Sequence, residues 1–124
     1  MNKAPRPTQI ILHQSSKTLE IRFDDGKGFT LPWEYLRVFS PSAEVRARRG
    51  KDRLLVRNKQ QVAITEIKPI GNYAVKLFFD DGHNSGLYDW RYLYDLGRKK
   101  SIYWTQYLDK LRQAGHTRQS PNWQ

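Results

Sequence analysis

One segment occurs twice in this chain, and no other feature constrains the fold as much. FDDGKGFTLPWEYL runs from Phe23 to Leu36, and FDDGHNSGLYDWRYL runs from Phe79 to Leu93. Both open on Phe-Asp-Asp-Gly and close on Trp-x-Tyr-Leu. The two phenylalanines are 56 positions apart and the two tryptophans 57, so a single insertion separates the copies. In each copy the Trp and Leu lie three residues apart, the spacing of one buried helical face. Each copy is expected to form a strand, an Asp-Asp-Gly turn, a short strand and a helix. Two such units packed together predict an α+β domain, mainly antiparallel sheet with two or three short helices.

The flanking sequence fills in this scheme. Ile10 and Leu12, then Leu19, Ile21 and Phe23, alternate with polar neighbours at the period of a half-buried strand, with a hairpin turn at Gln14-Ser15-Ser16-Lys17. Gly26 and Gly82 suit turns because glycine accepts positive φ, and Asp tolerates it. Thr30-Leu31-Pro32 predicts a helix over Trp33 to Phe39, with Pro32 at its first position, where the missing N–H does no harm. Tyr73, Val75, Leu77 and Phe79 share one strand face after the turn Pro69-Ile70-Gly71-Asn72. Asp89 is positioned to cap a second helix that Gly97 would end. A third helix after Ser101 places Tyr103, Trp104, Tyr107, Leu108 and Leu111 on one face. Residues 1–8 are expected to be flexible, 9–112 folded, and 113–124 a disordered tail. Trp33 and Trp90 are both expected in the core.

Composition excludes several classes of function. The chain has no cysteine, so disulfides, thiolate metal sites and a thiol nucleophile are ruled out. The N-terminus has no apolar run of a secretory signal, and no stretch approaches a membrane span, so a cytoplasmic protein without membrane contact is expected. The formal net charge is +10, and RARRGKDRLLVRNK, residues 46–59, contributes seven bases against one acid. Arg46, Arg48, Arg49, Lys51 and Arg53 make this segment a candidate anion-binding patch for nucleic acid, through neutralised phosphates and released counterions. It lacks the interleaved aromatics on which bases stack.

The chain also resembles a known family. Leu36-Arg37, Ser40-Pro41-Ser42-Ala43, Gly71-Asn72-Tyr73-Ala74 and Asp81-Gly82-His83-Asn84-Ser85-Gly86-Leu87-Tyr88 follow the pattern of the gamma-butyrobetaine hydroxylase-like N-terminal domain. In the hydroxylases this domain precedes a separate oxygenase domain that carries iron and 2-oxoglutarate, for which 124 residues leave no room. The module also occurs alone in bacteria and fused to iron–sulfur carrier ATPases. The resemblance therefore implies a stand-alone, non-catalytic accessory or protein-interaction module, linked to iron–sulfur or metal-cofactor machinery, with no cofactor of its own and an unknown protein partner.

Hydroxylase-type members are similar in one further respect, a structural zinc held by Cys-x-Cys-x-x-Cys and the His of Asp-Gly-His. Those positions fall here on Ser40, Ser42, Val45 and His83. Serine and valine do not replace thiolates around Zn²⁺. A vestigial metal or small-molecule site around Asp80, Asp81 and His83 is the remaining alternative, since His13, His83 and His116 could join a carboxylate in a facial triad. Against it, the first copy carries the same Asp-Asp-Gly without a histidine, which favours turn capping for Asp80 and Asp81 and a hydrogen-bonding role for His83. GxSxG, Walker, HExxH and GxGxxG motifs are all absent, so no enzyme is expected.

Overall fold

The computed structural model describes residues 5–41, 59–84 and 86–115. Strands β1 (Pro7–His13), β2 (Thr18–Phe23) and β3 (Gly28–Pro32) lead into helix α1 (Trp33–Val38). Strands β4 (Ile64–Ile70), β5 (Ala74–Phe79) and β6 (Leu87–Asp89) lead into α2 (Trp90–Arg98), and α3 (Lys100–Gln113) follows. The fold is α+β: two three-stranded antiparallel sheets, ordered β1-β2-β3 and β4-β5-β6, with three helices.

The two sheets share one construction, down to their irregularities. Register shifts at Thr8 in the first sheet and at Thr65 in the second, next to the pairing with Phe23 and Phe79. At each bulge the threonine hydroxyl donates across the ladder, Thr8 to the Arg22 carbonyl at 3.3 Å and Thr65 to the Phe78 carbonyl at 3.1 Å. A bulge of this kind strengthens the local twist and bends the strand. It does so at the same place in both halves.

Inward-facing side chains meet in one core. Leu19, Ile21 and Phe23 of β2 and Val75, Leu77 and Phe79 of β5 are all buried, as the alternation predicts, together with Leu31, Tyr88, Leu36, Leu93 and Leu96. Each such aliphatic or phenylalanine side chain contributes about 1.5–3 kcal/mol by leaving water. On α3, Tyr107 and Leu111 are buried with Val38 in a small second cluster. Tyr103, Trp104 and Leu108 pack partly buried beside these two clusters, as their spacing requires.

Helices α1 and α2 each reach across to the other half. Tyr35 of α1 donates its hydroxyl to the Leu96 carbonyl at 2.7 Å, and Tyr92 of α2 donates to the Phe39 carbonyl at 2.5 Å. Both tyrosines lie two residues after their own Trp, and both acceptors lie six residues after the other Trp. The duplicated halves are therefore related by an approximate two-fold exchange of contacts. Neither half satisfies its buried polar groups alone.

Six local expectations are corrected. Gly97 does not end α2, which continues to Arg98. A Cβ at Gly97 would lie far inside contact distance of the Phe29 ring, so this glycine serves close packing between the halves. Pro32 sits at the N-cap of α1 in an extended conformation, because it also closes β3. Tyr73 precedes β5 and is 54% exposed, since the tight turn with Gly71 at φ +54° aims it outward. Trp90 is only half-buried, whereas Trp33 is fully buried. The first strand begins at Pro7 and the third helix at Lys100.

Candidate functional site

The Asp-Asp-Gly turns are built alike, hydrogen bond for hydrogen bond. In the first, Asp24 Oδ1 accepts from the Arg6 amide at 3.2 Å and Asp25 Oδ1 from the Lys27 amide at 3.0 Å. In the second, Asp80 Oδ1 accepts from the Ala63 amide at 3.1 Å and Asp81 Oδ1 from the His83 amide at 3.1 Å. Gly26 and Gly82 both adopt φ +88° and close their turns onto the Phe23 and Phe79 carbonyls. The first carboxylate thus pins the incoming strand and the second holds the turn. Turn capping uses one oxygen of each aspartate, two of the four in each copy, and the other oxygen of the second Asp is where the copies part.

Asp25 Oδ2 accepts a hydrogen bond from the Tyr94 hydroxyl at 2.5 Å. Asp81 Oδ2 instead takes Arg37 Nε at 2.9 Å and Lys59 Nζ at 2.7 Å. Arg37 and Tyr94 occupy the same helical position, four residues after the Trp of their own helix, and each reaches the turn of the opposite half. Burial works against ionisation of Asp81, but the Lys59 ammonium, the His83 amide and the Arg37 guanidinium outweigh it and hold the carboxyl down at about 2. At the first turn the Tyr94 hydroxyl, then the Lys27 amide, lower Asp25, while the carboxylate raises the Tyr94 phenol.

His83 adds the second distinguishing contact. Its Nε2 lies 2.8 Å from Ser40 Oγ, which is 2% exposed at the end of the α1 segment. Nearby, Tyr88 donates to the Leu36 carbonyl at 2.5 Å, and burial pushes its phenol well above the ordinary value. A Cβ on Gly86 would collide with Ser40 Oγ, so the glycine of the Asn-Ser-Gly stretch lets this strand approach Ser40. Gly86 and Ser40 stand in the second half where Phe29 and Gly97 stand in the first. One interface pairs a large side chain with a glycine; the other pairs a glycine with a serine.

These placements decide which expected groups come together. Of the positions that hold zinc in hydroxylase-type relatives, Ser40 and His83 are adjacent, and Ser42 and Val45 lie outside the described residues. The histidine nitrogen that would face a metal here is engaged with a serine hydroxyl, and the residues do not fit the metal. His13 bonds Glu20 on the first sheet, and His116 lies outside the described residues. Among the described residues no group of three or more His, Asp or Glu side chains is placed to hold a metal ion. The candidate anion-binding residues Arg46, Arg48, Arg49, Lys51 and Arg53 also lie outside the described residues; Lys59, just beyond them, is tied to Asp81. Sequence reasoning missed Arg37 and Lys59 as partners of Asp81. The signal was available only as the shared position of Arg37 and Tyr94 in the repeat.

Comparison with known proteins agrees with this construction. The family model described as gamma-butyrobetaine hydroxylase-like, N-terminal, matches residues 10–94. A protein solved in solution by NMR is 48% identical, with 95% of this chain and 90% of that one covered and a TM-score of 0.80. A second NMR structure is 42% identical, covers 98% of both chains and also has a TM-score of 0.80. A crystal structure from Acidithiobacillus ferrooxidans, of a DUF971-family protein with unknown function, is 35% identical over 74% of this chain and 92% of that one, with a TM-score of 0.61. No curated protein matches.

Proposed function

We propose that this chain, which belongs to the gamma-butyrobetaine hydroxylase-like N-terminal family, is a non-catalytic accessory module that acts by binding another protein in the cytoplasm. The observation that carries this reading is the commitment of the turn's reactive groups to the framework. Asp80 holds the Ala63 amide, Asp81 holds Arg37, Lys59 and the His83 amide, and His83 holds buried Ser40. A general acid or base must be free to exchange its proton with a substrate. A carboxyl held at about 2 between two cations is instead a structural anchor. A link to iron–sulfur or metal-cofactor machinery rests on the family resemblance.

A second reading, anion or nucleic-acid binding through residues 46–59, is favoured by the seven bases packed into those fourteen positions. The test of the primary reading is native mass spectrometry of the tagged protein purified from its own cells at natural abundance. A stoichiometric complex with one protein species is expected. Recovery of the chain without a partner, together with turnover of a small molecule that is lost on Asp81→Asn or His83→Gln, would replace the accessory role with catalysis.

A further inference from the structure

The duplication provides an internal control for the outward faces of the two sheets. On the first, the cross-strand row at the centre is Ile11, Glu20 and Thr30. Glu20 there accepts from His13 at 2.9 Å and from Arg22 at 3.0 Å, so the acidic group in the row is neutralised by neighbours on its own sheet. The corresponding row on the second sheet is Lys68, Lys76 and Leu87. Here two lysines stand directly opposite one another, a pairing that destabilises a sheet.

The charge of this row is compensated at one lysine only, by a long ion pair. Glu66 lies 3.7 Å from Lys68, and Lys76 has no ion pair among the described residues. Both ammonium groups lean over the Phe78 ring, at 5.6 and 5.4 Å from its centroid. Phe78 replaces Arg22 of the first sheet, so the position that neutralises the row in one half holds an aromatic ring in the other. Leu87 at the end of the row is 43% exposed. The face therefore offers two close positive charges beside apolar surface.

We infer that the outward face of β4-β5-β6 docks an acidic polypeptide segment, with a carboxylate between Lys68 and Lys76 and an apolar side chain against Leu87. Charge complementarity carries the choice of an anion, because a carboxylate relieves the lysine–lysine repulsion and gains charge-assisted hydrogen bonds. The choice of polypeptide over nucleic acid rests on Phe78. Bases bind sheets by stacking on open aromatic faces, whereas this ring is half-buried and overlain by the lysine ammonium groups. Exposed Leu87 suits an apolar side chain and does nothing for a phosphate. The inference rests on the binding-module reading and gives its partner a chemistry.

The test is an NMR titration of the intact ¹⁵N-labelled chain at about 0.15 M salt, where the screening length of about 8 Å leaves only near charges to act. The probes are a blocked peptide of alternating glutamate and valine, its lysine–valine counterpart, and oligothymidylate. The acidic peptide should shift the amides of Lys68, Lys76, Phe78 and Leu87, and the basic peptide should not. Lys68→Glu with Lys76→Glu should weaken binding at least tenfold, while Lys110→Ala on the exposed side of α3 leaves it within twofold. Mapping on the unmodified chain keeps the test valid should the charge-reversed variant fold poorly. Shifts confined to the first sheet or to residues 46–59, or tighter binding of oligothymidylate to the Lys68–Lys76 face, would overturn the inference. If a cellular complex forms equally well with the charge-reversed chain, this surface assignment falls and the accessory role stands. If no cellular complex forms but the peptide maps to this face, the accessory role falls instead.

Discussion

The two Asp-Asp-Gly turns share a backbone and differ in what closes them. Around the first, Phe23, Phe29 and Tyr94 pack edge to face with ring centroids 5.0 to 6.0 Å apart, and the Tyr94 hydroxyl reaches Asp25. Around the second, Gly86 stands in place of Phe29 and Arg37 in place of Tyr94, and the space is filled by Arg37, Lys59, His83 and Ser40. One turn is sealed by an aromatic cluster and the other by ions and a serine–histidine contact. The difference teaches that a duplicated backbone fixes where a contact must form but leaves its chemistry open. Ion pair and aromatic cluster are two solutions at one structural position.

The largest effect should come from the paired tryptophans, which the repeat makes look equivalent. Trp33 is 1% exposed and its indole N–H has no hydrogen-bond partner among the described residues, while Trp90 is half-buried and donates to the Asn72 carbonyl at 2.8 Å. Trp33→Ala is expected to cost about 3–5 kcal/mol, the range for deleting a buried large aromatic. Trp90→Ala should cost clearly less, in urea unfolding followed by far-ultraviolet circular dichroism. Equal losses at the two positions would show that the halves are more alike energetically than their burial indicates.

Next in size is the close approach of the halves at Gly97. Gly97→Val should destabilise by about 1–3 kcal/mol through overpacking against Phe29. Phe29→Ala in the same chain should recover part of that loss, a coupling visible in a double-mutant cycle. Strict additivity of the two changes would remove the contact from the account of how the halves fit.

Much of this architecture was legible before any coordinates. Alternation located β2 and β5 because one face of each strand is buried, and Gly26 and Gly82 marked turns because their φ of +88° is open to glycine. Asp89 was legible as a cap, and its side chain does accept from the Tyr92 amide at 2.7 Å. What the sequence hid was exchange between halves. Arg37 and Asp81 are 44 positions apart and Tyr94 and Asp25 are 69, and no local pattern encodes such a pairing. Gly97 illustrates the failure: glycine near the end of a helical pattern suggests a stop, but here the cause lies on another element, in Phe29. Lys68 and Lys76 escaped notice for the same reason, since only strand register makes them opposite.

A smaller effect separates the two closures by pH. Arg37→Met should cost about 1–2 kcal/mol, toward the lower end for a hydrogen bond to a charged group because Lys59 still faces Asp81. Tyr94→Phe at the exposed first turn should cost less. Asp81 is lowered from 3.8 to about 2 in the folded chain. Its contribution to stability is therefore present above about pH 4 and is lost as pH falls toward 2, where the folded carboxyl also takes up a proton. Asp81→Asn should flatten stability across that window relative to the unmodified chain. Asp25→Asn, at the turn closed by a neutral phenol, should flatten it less in acid titrations of the unfolding midpoint.

The smallest expected effect is none at all, on treatment with chelator. In the first turn the residue after Asp-Asp-Gly is Lys27, which cannot ligate a cation while protonated, and that turn is closed without metal by its aromatic cluster. In the second turn the residue is His83, the one family zinc ligand that survives, and its Nε2 meets Ser40 where relatives place a thiolate. Binding energy from a structural zinc is folding energy, so a chain closed by Arg37, Lys59 and Ser40 must obtain its stability from the core and the ion pairs instead. EDTA should leave the thermal midpoint unchanged, and elemental analysis should find no stoichiometric zinc or iron in purified protein. The reverse experiment sharpens the contrast: Ser40→Cys, Ser42→Cys and Val45→Cys together, with His83 retained, should create a site that takes one zinc and raises the midpoint. Adding His83→Ala to that variant should abolish the gain. One tightly held metal in the unmodified chain, with melting on chelation, would mean that the second turn holds metal through ligands other than thiolates.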